Sequence, residues 1–91
     1  MTGKDEVATF LESDIDSQMI VVDMLNFFEE MAIAIDTGAA SEKLLKRYFR
    51  TMVVKAYTRY AGWMGVHRIH RNAPRYWIEA EAMMKLWLRD G

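Results

Sequence analysis

An all-α fold is predicted for this sequence: a three-helix domain, built as an antiparallel helical hairpin plus a C-terminal helix, with a short N-terminal helix as a further candidate. Three observations carry that expectation. Apolar residues recur at spacings of three and four over long stretches, which is the helical period. No stretch alternates apolar and polar residues with a period of two, as a half-buried strand would. Turn signals are few, chiefly Thr37-Gly38 and Asn72-Ala73-Pro74, so the elements between them are long. With 91 residues the chain suits one domain, 1–91, around one core.

Residues 1–16 are acidic and read as an arm or a short helix, because Val7, Ala8, Phe10 and Leu11 supply apolar groups for only a turn or two. A first main helix is predicted over 17–36. There Val21, Leu25, Phe28, Ala32 and Ile35 follow spacings of four and three, and a second stripe (Ile20, Met24, Phe27, Met31, Ala34) runs beside them. Two adjacent stripes make an apolar face wider than one neighbour covers. Asp14 and Asp16 are candidate N-caps, their carboxylates suited to the positive end of the helix dipole. Gly38 is placed to take the left-handed conformation that closes a helix.

Ser41 is the next candidate N-cap, with Glu42 in the first turn. The helix predicted over 42–71 carries Leu45, Phe49, Met52, Ala56, Tyr60 and Met64 on one face, widened by Tyr48, Tyr57 and Trp63. The Thr37–Ala40 loop is short, so the two helices it joins are expected to pair as the antiparallel hairpin. A mid-helix glycine costs about 0.5–1 kcal/mol relative to alanine. Gly62 and Gly65 therefore predict a bend near 62–65 or a close backbone approach. Pro74 fits the first turn of a last helix over 74–89, where Trp77, Ala80, Met84 and Trp87 form one face.

The formal charge of -1 hides a strong partition. Residues 1–42 hold ten acids and one base, and residues 43–75 hold nine bases and no acid. Either the two segments neutralise each other within the fold or across a dimer, or the basic one faces an anionic partner. A sequence pI of about 6.1 favours the first reading, since exposed nucleic-acid surfaces more often lift a domain's pI above about 9. The alternative is a nucleic-acid-binding regulator using the basic segment 43–75, with Tyr48, Tyr57 and Tyr60 available for stacking.

Composition excludes several classes. Half-apolar content argues against disorder, and with no cysteine there is neither a disulfide framework nor a thiolate metal site. The longest apolar runs, such as Met31–Ile35, have five residues, against roughly 20 needed to span a bilayer. The polar start Met1-Thr2-Gly3-Lys4-Asp5-Glu6 is not that of a signal peptide, and a cytoplasmic location with no membrane contact is expected.

Candidate chemistry is sparse. His67 and His70 are three apart but lack the further ligands a metal needs, and Arg68 and Arg71 repel a cation, so the histidines are expected to face solvent or the helix end. Glu29 and Glu30 point about 100° apart on a helix. One of them is expected to pair with Arg47 or Arg50. Nothing resembles a nucleophile beside a base or a phosphate loop. The expectation is therefore no catalytic residue, no metal, no cofactor and no enzyme. Eight methionines and three tryptophans point to an adaptable apolar surface instead. A homodimer through Ile20, Met24, Phe27, Met31 and Phe28 would bury it. Arg68, Arg71, Arg75, Arg47, Arg50, Asp14 and Asp16 are the charged candidates for contact with a partner.

The stretch Leu25-Asn26-Phe27-Phe28-Glu29-Glu30, followed by a helix around Lys46-Arg47-Tyr48-Phe49, resembles an uncharacterised bacterial and phage family of unknown function. The likeness runs from about Val21 to Trp87. It implies a shared helical fold and makes Asn26, Glu29 and Glu30 polar anchors within that motif. Some members of the family carry membrane-spanning segments ahead of the domain. The expected function is a non-enzymatic helical protein–protein interaction module. A phage-encoded inhibitor of a host defence or regulatory complex, anti-CRISPR-like, is the specific form that the resemblance implies.

Overall fold

Four helices make up most of residues 3–90, which a computed structural model describes: α1 (Gly3–Ser13), α2 (Ile15–Asp36), α3 (Glu42–His70) and α4 (Ile78–Arg89). No strand occurs among the described residues, so the all-α class holds. Met1, Thr2 and Gly91 lie outside them.

The N-terminal segment is a full helix, not an arm. Val7, Ala8 and Leu11 fall on one face, and all three pack on the core, Leu11 fully buried. Asp14 then takes an extended conformation (φ -118, ψ 99) that separates α1 from α2 and makes it the N-cap of α2. No side-chain cap bond accompanies it; the Asp14 carboxylate instead accepts from the Ser17 hydroxyl at 2.5 Å. Buried Gln18 ties the corner together, its amide donating to the Leu11 carbonyl at 2.9 Å.

Ser41 caps α3 by accepting from the Leu44 N–H at 3.2 Å, and Gly38 sits at φ 81 just past α2. The helices that this loop joins are not the packed pair that its length predicts. α2 packs on α4 and α1, while α3 packs on α1 and α4. α1 and α4 therefore lie between α2 and α3, which approach each other where Phe27 meets Phe49 edge-on at 6.1 Å. The antiparallel hairpin is α3 with α4. Trp77 lies near Trp63 at one end of it, and Asp90 binds Lys46 at the other. Loop length constrains only sequence neighbours; the apolar face of α4, with Ala80, Met83, Met84 and Trp87 all buried, decides the packing.

Two helix starts differ from expectation for local reasons. α2 begins at Ile15, two residues before 17, because Asp14 is the cap. α3 continues through Gly62 and Gly65 as one helix, and a Cβ at Gly65 would meet nothing within 4 Å, so no close backbone approach explains that glycine. α4 begins at Ile78, since Pro74 opens a turn (Tyr76 N–H to Ala73 carbonyl, 3.1 Å) in place of a helix.

Candidate functional site

The connection from α3 to α4 is the most constrained part of the chain. Asn72 (φ 50) closes α3: its N–H bonds the Ile69 carbonyl at 3.1 Å, and the Ala73 N–H bonds the Arg68 carbonyl at 2.9 Å. That is a Schellman closure with asparagine where glycine is usual. Arg68 then clamps the connection. Its Nε donates to the Tyr76 carbonyl at 2.7 Å, and its Nη1 pairs with Glu81 of α4 at 2.8 Å.

Trp77 stands at φ 60, a conformation that costs about 1–3 kcal/mol for a non-glycine residue. Two features of the surroundings hold it there: the ring is buried, and the indole N–H donates to Asn26 Oδ1 of α2 at 2.8 Å. A tryptophan cannot cap α4 with its own side chain. Glu29, one turn beyond Asn26 on α2, does so instead, accepting the Ala80 N–H at 2.7 Å. A carboxylate at that position also meets the positive end of the α4 dipole.

A second polar centre joins α1 to α3. Glu12 Oε2 accepts from the indole N–H of Trp63 at 2.9 Å, and Glu12 Oε1 meets His70 Nδ1. His67 Nδ1 lies 3.9 Å from the same carboxylate. Burial pushes the Glu12 carboxyl up, but the hydrogen bonds from Trp63 and His70 outweigh it and hold the group below its ordinary 4.5. His67 is only 5% exposed, packed against the rings of Trp63 (4.6 Å), Trp77 (5.4 Å) and Tyr76 (6.2 Å). Burial first, and the nearby Arg71 second, push its pKa below 6.5, so the imidazole is neutral at pH 7.

A cleft of about 500 Å³ opens between α2 and the α3–α4 connection, with His67, Arg71, Arg75, Tyr76 and Trp77 on one wall and Asn26 and Glu29 on the other. The opposite flank of α2 is apolar. Phe10, Ile20 and Tyr60 share a hollow of about 460 Å³, and Phe27 of α2 and Met52 and Tyr48 of α3 are exposed as well.

A family model described as a domain of unknown function, DUF4760, matches residues 3–87. The chain belongs to this family. Comparison with curated proteins and with solved structures finds no match. The match extends the DUF4760 domain to α1, which the resemblance read from the sequence left out.

Within the DUF4760 domain the residues singled out from sequence fall into different places. Asn26 and Glu29 hold Trp77 and the start of α4, while Glu30 is exposed. Glu29 therefore does not pair with Arg47 or Arg50: α4 lies beside it, and the ion pairs of the described residues are Lys46–Asp90, Arg68–Glu81 and the two histidines with Glu12. Arg68, a candidate for partner contact, is engaged within the fold by Glu81 and the Tyr76 carbonyl. Arg71 and Arg75 are exposed at the cleft; Arg47 is exposed and Arg50 half-buried, its Nε without a partner. Asp14 caps α2 and Asp16 is exposed in its first turn. On the apolar face Met31 and Phe28 are buried in the core, Met24 is half-buried, and Ile20 and Phe27 are open.

His67 lies in the last turn of α3, the helix-end placement that the sequence allowed, and is buried there instead of facing solvent. Glu12, Trp63 and Trp77 were not legible as polar centres. The available signal was the pairing of each indole N–H with an acceptor on another helix, which buried tryptophan requires. Trp87 follows the same rule, donating to Glu42 at 2.9 Å. Among the described residues no group of three His, Asp or Glu is placed to hold a metal ion, and no helix is long and apolar enough to cross a membrane.

Proposed function

We propose that this DUF4760 domain is a non-enzymatic protein–protein interaction module. Its contact surface is the flank of α2 and α3 that α1 leaves uncovered, and its first partner is a second copy of the chain. The observation that supports it is a row of open apolar side chains: Ile20 is 71% exposed, Phe27 50%, Met52 51% and Tyr48 72%. Single exposed apolar residues are ordinary, whereas a contiguous row marks an interaction surface.

Charge supports a second copy as the occupant. Asp16, Asp23 and Glu30, all exposed, lie seven apart on α2, one turn ahead of Ile20, Phe27 and Ala34. Lys55 and Arg59 stand exposed beside Met52 on α3. None of these acids pairs with a base of α3 among the described residues. A two-fold axis laying α2 of one copy on α3 of the other covers both apolar rows and brings acids to bases. Exposed pairs contribute about 0–1 kcal/mol each. The apolar area therefore supplies affinity and the charges supply orientation.

Sedimentation equilibrium of the wild type and of Phe27→Glu tests this. The expected result is a concentration-dependent dimer that the substitution weakens at least tenfold, with the helical circular dichroism of the monomer intact. Asp23→Lys weakens it as well, and Lys55→Glu in the same chain restores it. A monomer at every concentration, or association indifferent to Phe27→Glu, overturns the reading.

A second reading, a nucleic-acid-binding regulator, draws on one observation: of the nine bases in 43–75, only Lys46 and Arg68 hold a carboxylate among the described residues. It requires an affinity that falls steeply with salt. No mobility shift at low salt removes it. The narrower form of the first reading, a phage-encoded inhibitor of a host complex, is supported by the resemblance alone.

A further inference from the structure

We infer that the cleft between α2 and the α3–α4 connection binds a small aromatic anion, a planar ring carrying one phosphate or carboxylate. The cleft lies on the other flank of α2 from the proposed contact surface, and the inference stands apart from that reading.

Size is the first ground. About 500 Å³ falls within the roughly 300–1,000 Å³ of small-molecule sites, and is far larger than a solvent ion requires. Charge is the second. Arg71 and Arg75 both line the cleft, and neither pairs with a carboxylate among the described residues. Guanidinium groups present a planar fork that matches phosphate and carboxylate oxygens. Against them the cleft sets one carboxylate, Glu29, which is already bonded to the Ala80 N–H. A modest excess of positive charge suits one phosphate or carboxylate group better than a nucleic-acid backbone.

The aromatic wall is the third ground, and it sets the ligand's class. Tyr76 is 47% exposed at the rim of the cleft, stacked on the far side against the His67 ring, with interplanar angle 28°. Its outer face is free to stack on a planar ring. His67 lines the same wall, its Nδ1 turned toward Glu12. The wall is fixed before any ligand arrives: Arg68 holds the Tyr76 carbonyl, and Asn26 holds the Trp77 indole. A preformed wall lowers the ordering cost of binding.

The test is titration calorimetry, with amide chemical shifts, using two probes that share a ring and an anion and little else: adenosine monophosphate and benzoate. Adenosine and inorganic phosphate, each lacking one half, are the controls. The expected result is saturable binding of at least one probe, with shifts concentrated on 67–77 and each control at least tenfold weaker. Which probe binds tells phosphate from carboxylate. Arg71→Gln with Arg75→Gln weakens binding at least tenfold while leaving the melting midpoint unchanged, because both residues are exposed. Tyr76→Ala weakens the ringed probe and leaves any binding of inorganic phosphate alone. The inference is overturned if neither probe saturates at millimolar concentration, if the double variant binds as the wild type does, or if inorganic phosphate binds as well as the ringed anion.

Discussion

On one flank of α2, Asn26 and Glu29 hold a tryptophan and a helix end with hydrogen bonds of 2.8 and 2.7 Å; on the other, Ile20 and Phe27 stand open to solvent. The difference lies in what each flank has beside it. α4 runs along the first flank and brings a polar helix end that needs acceptors. α1 has 11 residues and covers only part of the second. On the first flank Asn26 and Glu29 are therefore committed to the chain's own groups and serve stability, while Arg71, Arg75 and Tyr76 across the cleft stay open. The second has apolar area and charge to offer to something else. Substitutions on the anchored flank should change the free energy of unfolding, and substitutions on the bare flank should change association.

The largest effect tests the anchoring itself. Trp63 is completely buried and donates to Glu12, so Trp63→Ala removes a core ring and leaves a carboxylate short of a partner. Truncations of this kind cost about 3–5 kcal/mol. Domains of ordinary stability have only about 5–15 kcal/mol to lose. Thermal unfolding should show a midpoint lower by more than ten degrees, or no cooperative transition. A shift of a few degrees would mean that the polar hub between α1 and α3 is not where this fold is held.

Glu29 gives a sharper and smaller measure. Glu29→Ala strips α4 of its cap while leaving its apolar face in place, and loss of such a cap costs about 1–2 kcal/mol. Glu29→Gln keeps an acceptor without the charge and should fall between the two. Urea denaturation at fixed pH separates them. Equal losses for Ala and Gln would assign the effect to the dipole and not to the hydrogen bond. No loss in either variant would break the contrast between the flanks.

How much of this was legible follows from the same contrast. The helical period of Val21, Leu25, Phe28 and Ala32 survives in the fold because a buried stripe is a property of one helix alone. Asn26, Glu29 and Glu30 stood out only through the motif that carries the family resemblance, and of the three Asn26 and Glu29 hold α4 and its tryptophan while Glu30 is exposed. Which helix they hold was not legible, since it depends on α4 arriving parallel to α2, and the short loop at Thr37–Ala40 pointed to α3. Trp77 at φ 60 was illegible for a similar reason. Pro74 favours helix locally, and only the burial of the indole against His67 and Asn26 overrides it. The exposure of Met52 follows from how short α1 is, which the face of α3 does not encode.

The smallest effect concerns acidity, and it separates the flanks without any substitution. His67 borders the anchored side and Glu12 of α1 approaches it at 3.9 Å, whereas Ile20, Phe27 and Met52 carry no proton to gain. In the unfolded chain His67 takes up a proton near pH 6.5; in the native chain burial and Arg71 keep it neutral to a lower pH. The unfolded state thus holds more protons in that window, and stability must fall as the pH drops through it. Above pH 6.5 both states are neutral at this group, and it contributes no slope. Glu12, held below 4.5, adds a second loss only under about pH 4.5, as its carboxylate is protonated in the unfolded chain first. Urea unfolding followed from pH 7.5 to 4 should show the first decline, and His67→Phe, which keeps a buried ring without the proton, should flatten it. Amide exchange in the same series should quicken around α1, the end of α3 and the α3–α4 connection before the middle of α2. If exchange instead rises uniformly, or first beside Phe27, acid is loosening the molecule as a whole and the anchored flank is not the seat of its pH response.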